Sequence, residues 1–264
     1  MIPLLLAFLR RDWLRRASYR MLVVWQVAGM AGFLAILYVT GGALAAFARS
    51  HGLGDSYIAF ILAGLAFTDL FLTSMQTFSG SVREAQLQGT LEPMLLAPIR
   101  VPELVAGSIL FPFAQSLVRT TITISVAFFA FGLFHHANAV SALLVLIPGI
   151  VSFASIGVLS ASFVLAFKQG DPVIGMFAFV SSMLGGAVFP TSLLPGWVRA
   201  VGWFFPLTSA LAGIRASLDG SSPVDVLPQA VALWLTTLIL VPIAGLAFNA
   251  ALRHAKREGS LVQY

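Results

Sequence analysis

The sequence predicts an all-α membrane protein with six transmembrane helices, and three observations carry that expectation. Only 9% of the residues are charged while 59% are hydrophobic, against about 25% charged in a soluble domain. The apolar stretches are about 20 residues or longer, the length needed to cross a bilayer as a helix. They are continuous runs, not the alternating ten-residue segments of a β-barrel. The chain reads as one transmembrane domain over 1–264: an interface helix at 1–20, six spans within 21–252 and a cytoplasmic tail at 253–264. No internal repeat is visible. No A-x-A cleavage site precedes the first long span, so no cleavable signal peptide is expected. With no cysteine, the chain holds no disulfide.

Residues 3–20 are amphipathic. At 100° per residue, Leu6, Leu9, Trp13, Leu14, Ala17 and Met21 share one face, while Arg11, Asp12, Arg15 and Arg16 lie opposite. This pattern suits a helix lying in the membrane interface; a plain basic flank that fixes topology is the alternative. The first span runs over about 21–47, followed by a polar loop at 48–56 with Arg49, His51 and Asp55. The second is about 57–80 and contains Asp69; the third, 104–134, contains Pro112 and Arg119. A tight turn at 135–138 leads to the fourth span, 139–167, with Pro148. A short link at 168–171 precedes the fifth span, 172–189. The sixth covers about 227–252, and the tail beyond it is basic.

Between the fifth and sixth spans, residues 190–225 are too broken to span and too apolar for an ordinary loop. Pro190, Pro195, Gly196 and Pro206 cut the stretch into short pieces, and Val198, Val201 and 203–205 are placed to dip into the bilayer from outside. Non-helical backbone at such depth needs cover by protein or a watery cavity. The expected structure is a re-entrant or interfacial helical hairpin; an aromatic belt loop on the outer surface is the plainer alternative.

The stretch 83–102 is the longest polar interruption in the first half of the chain. It carries Arg83, Glu84, Glu92 and Arg100, with Gln86, Gln88, Gly89 and Thr90 in its middle. Thr90 can cap a short helix whose first turn holds Glu92, Pro93 fits that turn, and Pro98 and Pro102 end it. Orientation follows from lysine and arginine placement. With the N-terminus inside, the inner side holds Arg10, Arg11, Arg15, Arg16, Arg20, Arg83, Arg100, Lys168, Arg253, Lys256 and Arg257, and the outer side only Arg49, Arg199 and Arg215. Both termini and the 83–102 segment are therefore expected on the cytoplasmic side of the inner membrane, where the segment is positioned for another protein to push on it.

Two ionisable residues lie well inside predicted spans. Asp69 and Arg119 sit roughly 20 and 22 Å from the cytoplasmic ends of neighbouring antiparallel spans, so they are expected to meet. Intramembrane charges are functional candidates by default. A structural ion pair within one subunit and a polar patch on the substrate path or dimer seam both remain open. His135 and His136 point apart on a helix and have no histidine or cysteine partner at metal-ligand spacing, so a plain interfacial turn is read there and no metal site. Gly185 and Gly186, beside Ser181 and Ser182, read as close helix packing. No lysine completes a G-x-x-x-x-G-K-[ST] phosphate loop. The chain is thus not expected to be an ATPase or to bind a cofactor of its own; ATP and Mg would belong to a partner subunit.

The whole outline resembles the permease subunits of ABC-2-type ABC exporters. The resemblance rests on Glu84, Gly89, Thr90, Leu91, Glu92 and Pro98, which match the family's coupling segment after the second span. It rests also on Pro195, Pro206, Leu207, Ser209 and Arg215, which match the end of the family's signature before the last span. The early part of that signature, around 181–187, departs from the pattern. The basic amphipathic start and six spans complete the match. The resemblance implies a dimer of permeases, alike or different, a separate ATPase subunit on the cytoplasmic side, and outward movement of an amphipathic, lipid-like, glycan-linked or drug substrate. A stand-alone secondary transporter or channel is the competing class. Against it, the spans hold only Asp69 and Arg119, with no series of carboxylates for proton or sodium coupling. An integral membrane enzyme would need a catalytic constellation that is not visible.

Overall fold

A computed structural model describes residues 55–87, 138–167, 171–187 and 191–257, with isolated helical positions between 10 and 39 and between 107 and 125. Everything regular among the described residues is helical. The helices are α1 (Asp55–Leu87), α2 (Ala139–Phe167), α3 (Asp171–Leu184), α4 (Gly196–Gly202), α5 (Pro206–Leu218) and α6 (Leu227–Arg257), with a 3₁₀ turn at Thr191–Leu193. Two described stretches are long and apolar enough to cross a membrane, Ala139–Phe167 and Leu227–Ala255. The 33 residues of α1 extend about 50 Å.

Local sequence explains where these helices start and stop. Asn138 caps α2: its Oδ1 accepts from the backbone N–H of Val140 at 3.1 Å and of Ser141 at 3.2 Å, two donors a helix start leaves orphaned. The end of α3 is a Schellman turn. Gly186 takes φ 70°, its N–H donates to Met183 O, and Ala187 N–H reaches back to Ser182 O. The end of α5 repeats the motif with Gly220 at φ 86°; Gly220 N–H donates to Ser217 O and Ser221 N–H to Ala216 O. Phe205, forced out of helical geometry by the following proline, is extended (φ −89°, ψ 120°), and Pro206 opens α5 at a position where its missing N–H costs nothing.

Helix α2 is the central element, packing on α1, α5 and α6. The larger core gathers Phe67, Leu70 and Phe71 of α1, Val145, Phe153 and Ile156 of α2, Leu207, Leu211 and Ile214 of α5 and Leu233 of α6. Phe71 and Phe153 meet edge to face at 5.0 Å, a favoured aromatic geometry. A second cluster joins Phe78 and Val82 to Ala161 and Leu165 and to Phe248, Ala251, Leu252 and Ala255. Buried serines donate to the carbonyl one turn back, as Ser74 does to Leu70 O at 2.7 Å and Ser160 to Ile156 O at 3.0 Å, which satisfies hydroxyls in apolar surroundings. Between α2 and α6, Ser152 Oγ and Thr237 Oγ1 share a hydrogen bond of 2.5 Å, the kind of polar contact that binds helices in lipid.

Register fixes direction. Phe71 packs on Phe153, while Phe78 and Val82 pack at the level of Ala161 and Leu165, so α1 runs parallel to α2. Thr237 lies beside Ser152, and Phe248 to Ala255 beside Ala161 and Leu165, so α6 is parallel as well. Helices α1, α2 and α6 correspond to the second, fourth and sixth expected spans, which must all point the same way. Helix α5 is antiparallel to α2: Gly213 faces Val145, and Gly149 faces Ala210.

The helices differ from the expected spans in extent. The helix of the second expected span continues past Gly80, unbroken to Leu87, because 81–87 contains no helix breaker. The last helix runs through the basic tail to Arg257. The fifth span, expected at 172–189, is a helix of 14 residues, about 21 Å long and short of a ~30 Å hydrocarbon core. The Gly185–Gly186 pair ends it, so these two glycines do more than pack helices. The broken stretch after it does form short helical pieces, but α5 lies inside the bundle, with Pro206, Leu207, Ser209, Ala210, Leu211, Gly213, Ile214 and Ser217 buried. The aromatic residues of the α4 region, Trp197, Trp203 and Phe204, are exposed.

Candidate functional site

The described residues bring the expected site positions to two places, one at each end of α1. At the end shared with the basic tail, α1 carries Arg83 and the exposed Glu84 on its final turns. The parallel α6 brings Arg253 to the same end. Gly89, Thr90, Glu92 and Pro98 lie outside the described residues, as do Arg119 of the expected ion pair and Arg11, Trp13, Arg15 and Arg16 of the interface helix. Asp69 is half-buried on α1.

Asp69 belongs to a longer pattern. One face of α1 is buried in the core through Ala63, Phe67, Leu70, Ser74, Phe78 and Val82. The other face turns Asp69, Thr73, Gln76, Gly80 and Glu84 outward, half-buried or exposed; these lie three or four residues apart and share one side of the helix. The outward faces of the other long helices are apolar: Val140, Leu143 and Ile147 on α2, and Trp234, Leu238, Ile239 and Leu246 on α6. Those faces suit lipid; the inner half of α1 does not.

The second place is centred on Arg215, one turn before the end of α5. The residue is half-buried. Nη1 donates to Gly186 O at 2.9 Å and Nη2 to Ala187 O at 3.1 Å. These carbonyls belong to the turn just past α3, near the negative end of the helix dipole, where a cation is favoured. Gly64 of α1 completes the junction. A Cβ added there would coincide with the Ala187 carbonyl oxygen and lie 2.7 Å from Arg215 Nη2; only glycine admits this approach. Sequence counting placed Arg215 on the outer side, and the fold packs it against α1 and the turn after α3. The signal that could have found it was the Gly-Gly pair at 185–186: a helix stop whose free carbonyls require donors.

The other signature positions support this junction. Pro195 precedes α4 as its N-cap, and Pro206 starts α5. Ser209 is buried one turn into α5. Arg199 ties the 3₁₀ turn to α4 by donating to Ser192 O at 2.9 Å and Leu194 O at 3.3 Å. Thr208 Oγ1 donates to Gly202 O at 2.7 Å and joins the end of α4 to α5. Among the described residues no group of acidic, histidine or cysteine side chains is arranged to hold a metal ion.

Known proteins resemble this chain in sequence. The chain is 25% identical over 171 residues to the inner membrane transport permease YadH of Escherichia coli K12, covering 65% of this chain and 66% of that protein. It is 27% identical over 175 residues to nodulation protein J of Rhizobium meliloti, covering 66% of each. With the linearmycin resistance permease protein LnrN of Bacillus subtilis it shares 22% identity over 206 residues, 78% of this chain and 51% of that one. The chain thus spans just under two thirds of the length of the first of these relatives. The family model for the ABC-2 type transporter matches residues 3–218, a range that takes in α1 to α5 and the Arg215 junction, and the chain belongs to that family of membrane transport permeases.

Proposed function

We propose that this chain is the permease subunit of an ATP-driven exporter. Two copies of it, or one copy with a related permease, form the path, and a separate ATPase subunit on the cytoplasmic side supplies the energy. The observation that carries this reading is α1 itself, one unbroken helix that delivers Arg83 and Glu84 to the polar segment ending at Pro102. A nucleotide-driven closure moves a membrane domain only through a packed contact that differs between two states. A helix joined directly to the contacted segment transmits that displacement without a hinge. Glu84, Gly89, Thr90, Glu92 and Pro98 form the contacted segment, Glu84 and Glu92 pairing with donors on the ATPase or with Arg11, Arg15 and Arg16 of the interface helix. Six spans with both termini cytoplasmic accord with the arginine and lysine distribution and with the shared direction of α1, α2 and α6.

The substrate on this reading is amphipathic. The polar face from Asp69 to Glu84 receives its head, with Arg119 of the neighbouring span paired to Asp69, while the apolar outward faces of α2 and α6 meet lipid. That one relative is named a resistance permease accords with outward movement.

The test is purification of the permease with its ATPase, followed by two variants, Glu92→Lys and Gly89→Trp. Membrane insertion is expected to persist while transport falls and the ATPase either dissociates or no longer responds to substrate. Full transport with a normally bound ATPase in both variants would overturn the assignment of this segment.

A further inference from the structure

We infer that Arg215 is a positioning residue, a latch that holds the broken end of α3 to α5, and that α1 carries the displacement of the cytoplasmic segment to this latch. The inference rests on the ATP-driven reading for its driving force; the latch stands on geometry alone. Among the described residues α3 touches α1, α4 and α5 over only a few residues each. Its end is a glycine turn with Gly186 at φ 70°, and the carbonyls beyond the last helical turn have Arg215 as donor at 2.9 and 3.1 Å.

The base that Arg215 stands on is firmer. Helix α5 lies antiparallel along α2, with Gly149 and Ala210 in contact and Gly213 pressed against Val145 and Gln229. Its C-terminal end, just past Arg215, is pinned to the start of α2, where Asn138 N–H donates to Ser217 O and Ser141 Oγ donates to Ser221 O, each at 2.8 Å. The end of α3, a helix that also places Ile174 and Ala178 in the core, is thus fastened to a fixed frame by the two hydrogen bonds of one guanidinium.

Gly64 connects the latch to α1. The Ala187 carbonyl occupies the space a side chain would take, so any shift of α1 toward or away from α3 moves the acceptor that Arg215 holds. Gly64 and Glu84 lie on one continuous helix, 20 residues and about 30 Å apart. A push at the cytoplasmic end therefore arrives at Gly64 with no intervening joint. When α1 moves, the Arg215 bonds break and the end of α3 parts from α5.

A cysteine-free chain allows a direct test. A Cβ on Gly202 lies 3.9 Å from Leu184 Cβ, within the spacing of about 3.5–4.5 Å that a disulfide requires. Gly202 is tied to α5 through Thr208. The pair Leu184→Cys with Gly202→Cys therefore reports the gap between α3 and the α5 frame. With no nucleotide, crosslinking is expected to be near complete in the parent. It should fall several-fold when Arg215→Gln is added and recover in part with Arg215→Lys, which restores one donor. An unchanged yield with Arg215→Gln overturns the latch. In the complex with its ATPase trapped by ATP and vanadate, the parent yield should fall several-fold, and the Arg215→Gln variant should show no further response. A purely structural arginine would lower thermal stability and leave the nucleotide response intact, and an unchanged yield in a trapped complex overturns the transmission. If no ATPase copurifies, the ATP-driven reading fails and the transmission fails with it; the nucleotide-free arm then decides the latch by itself.

Discussion

Replacing Gly64 with alanine should be among the most damaging single-methyl changes in the bundle. The added carbon would coincide with the Ala187 carbonyl oxygen and stand 2.7 Å from Arg215 Nη2 and 2.8 Å from Ala187 C. Because the obstacle is backbone, no rotamer change relieves it, and α1 and the end of α3 must separate. Overpacking of this kind typically costs about 1–3 kcal/mol. Separation also weakens the bond from Arg215 Nη2 to Ala187 O, and a hydrogen bond from a charged donor contributes about 1.5–3 kcal/mol. Alanine returns about 1 kcal/mol of helix propensity. The net loss is about 2–4 kcal/mol, or roughly 5–15 °C of melting temperature for a domain of this size. The assay is thermal unfolding of detergent-purified protein, followed by tryptophan fluorescence and by the monodisperse fraction after heating. Two internal controls make it decisive. Gly80 on the same helix has nothing within 4 Å of an added Cβ, so Gly80→Ala should hold or raise the melting temperature. Gly157 would meet the Phe78 ring at 2.7 Å, a side chain able to turn, so Gly157→Ala should fall between the two. A melting temperature for Gly64→Ala equal to that of Gly80→Ala would refute the close approach of α1 to Ala187.

Three further outcomes are expected. A single cysteine at Gln88 should resist a membrane-impermeant maleimide in intact cells and react after permeabilisation; strong labelling from outside would contradict the cytoplasmic placement of the 83–102 segment. Asp69→Asn and Arg119→Leu should each lower expression and thermal stability more than the double substitution does, since removing one partner strands a buried charge; additive losses would mean that the two side chains do not meet. Thr237→Val and Ser152→Ala should each destabilise the pairing of α2 with α6, with a coupling energy of about 0.6–1.7 kcal/mol in a double-mutant cycle, and a coupling of zero would show that the 2.5 Å contact contributes no stability.

How much of this was legible in the sequence depends on the range of the interaction. The fourth span was expected at 139–167, and α2 occupies those residues. Its start is written locally by Asn138, and its end by the change to Lys168, Gln169 and Gly170. Helices α1 and α6 run past the second and sixth expected spans because composition marks where the lipid-suited stretch ends, not where the helix ends. Arg83, Glu84 and Arg253 are compatible with helix outside a bilayer, so α1 and α6 continue past the charge boundary. The short α3 was overextended for the opposite reason. Residues 185–189 remain apolar, and hydropathy does not register that a glycine pair supplies the left-handed turn that stops the helix.

The Arg215 junction shows why its components could be recognised without its geometry. Gly64 and Arg215 come from two helices and Gly186 and Ala187 from the turn after a third, and their contacts span 28 residues or more along the chain. Sequence alone presented Arg215 as one outer cation among three and as part of the family resemblance, because the contacts that hold it come from residues far away in the chain. In the fold the small residues Gly213 and Ser217 let α5 lie directly against α2 and α6, and the long guanidinium side chain then reaches the turn that ends α3. The small residues and the arginine are therefore one device. Close packing of α5 creates a fixed base, and a fixed base is what gives a single pair of hydrogen bonds leverage over a helix too short to cross the bilayer. The same sequence features that made residues 190–225 look like neither a span nor a loop are those that let this region act as a joint between them.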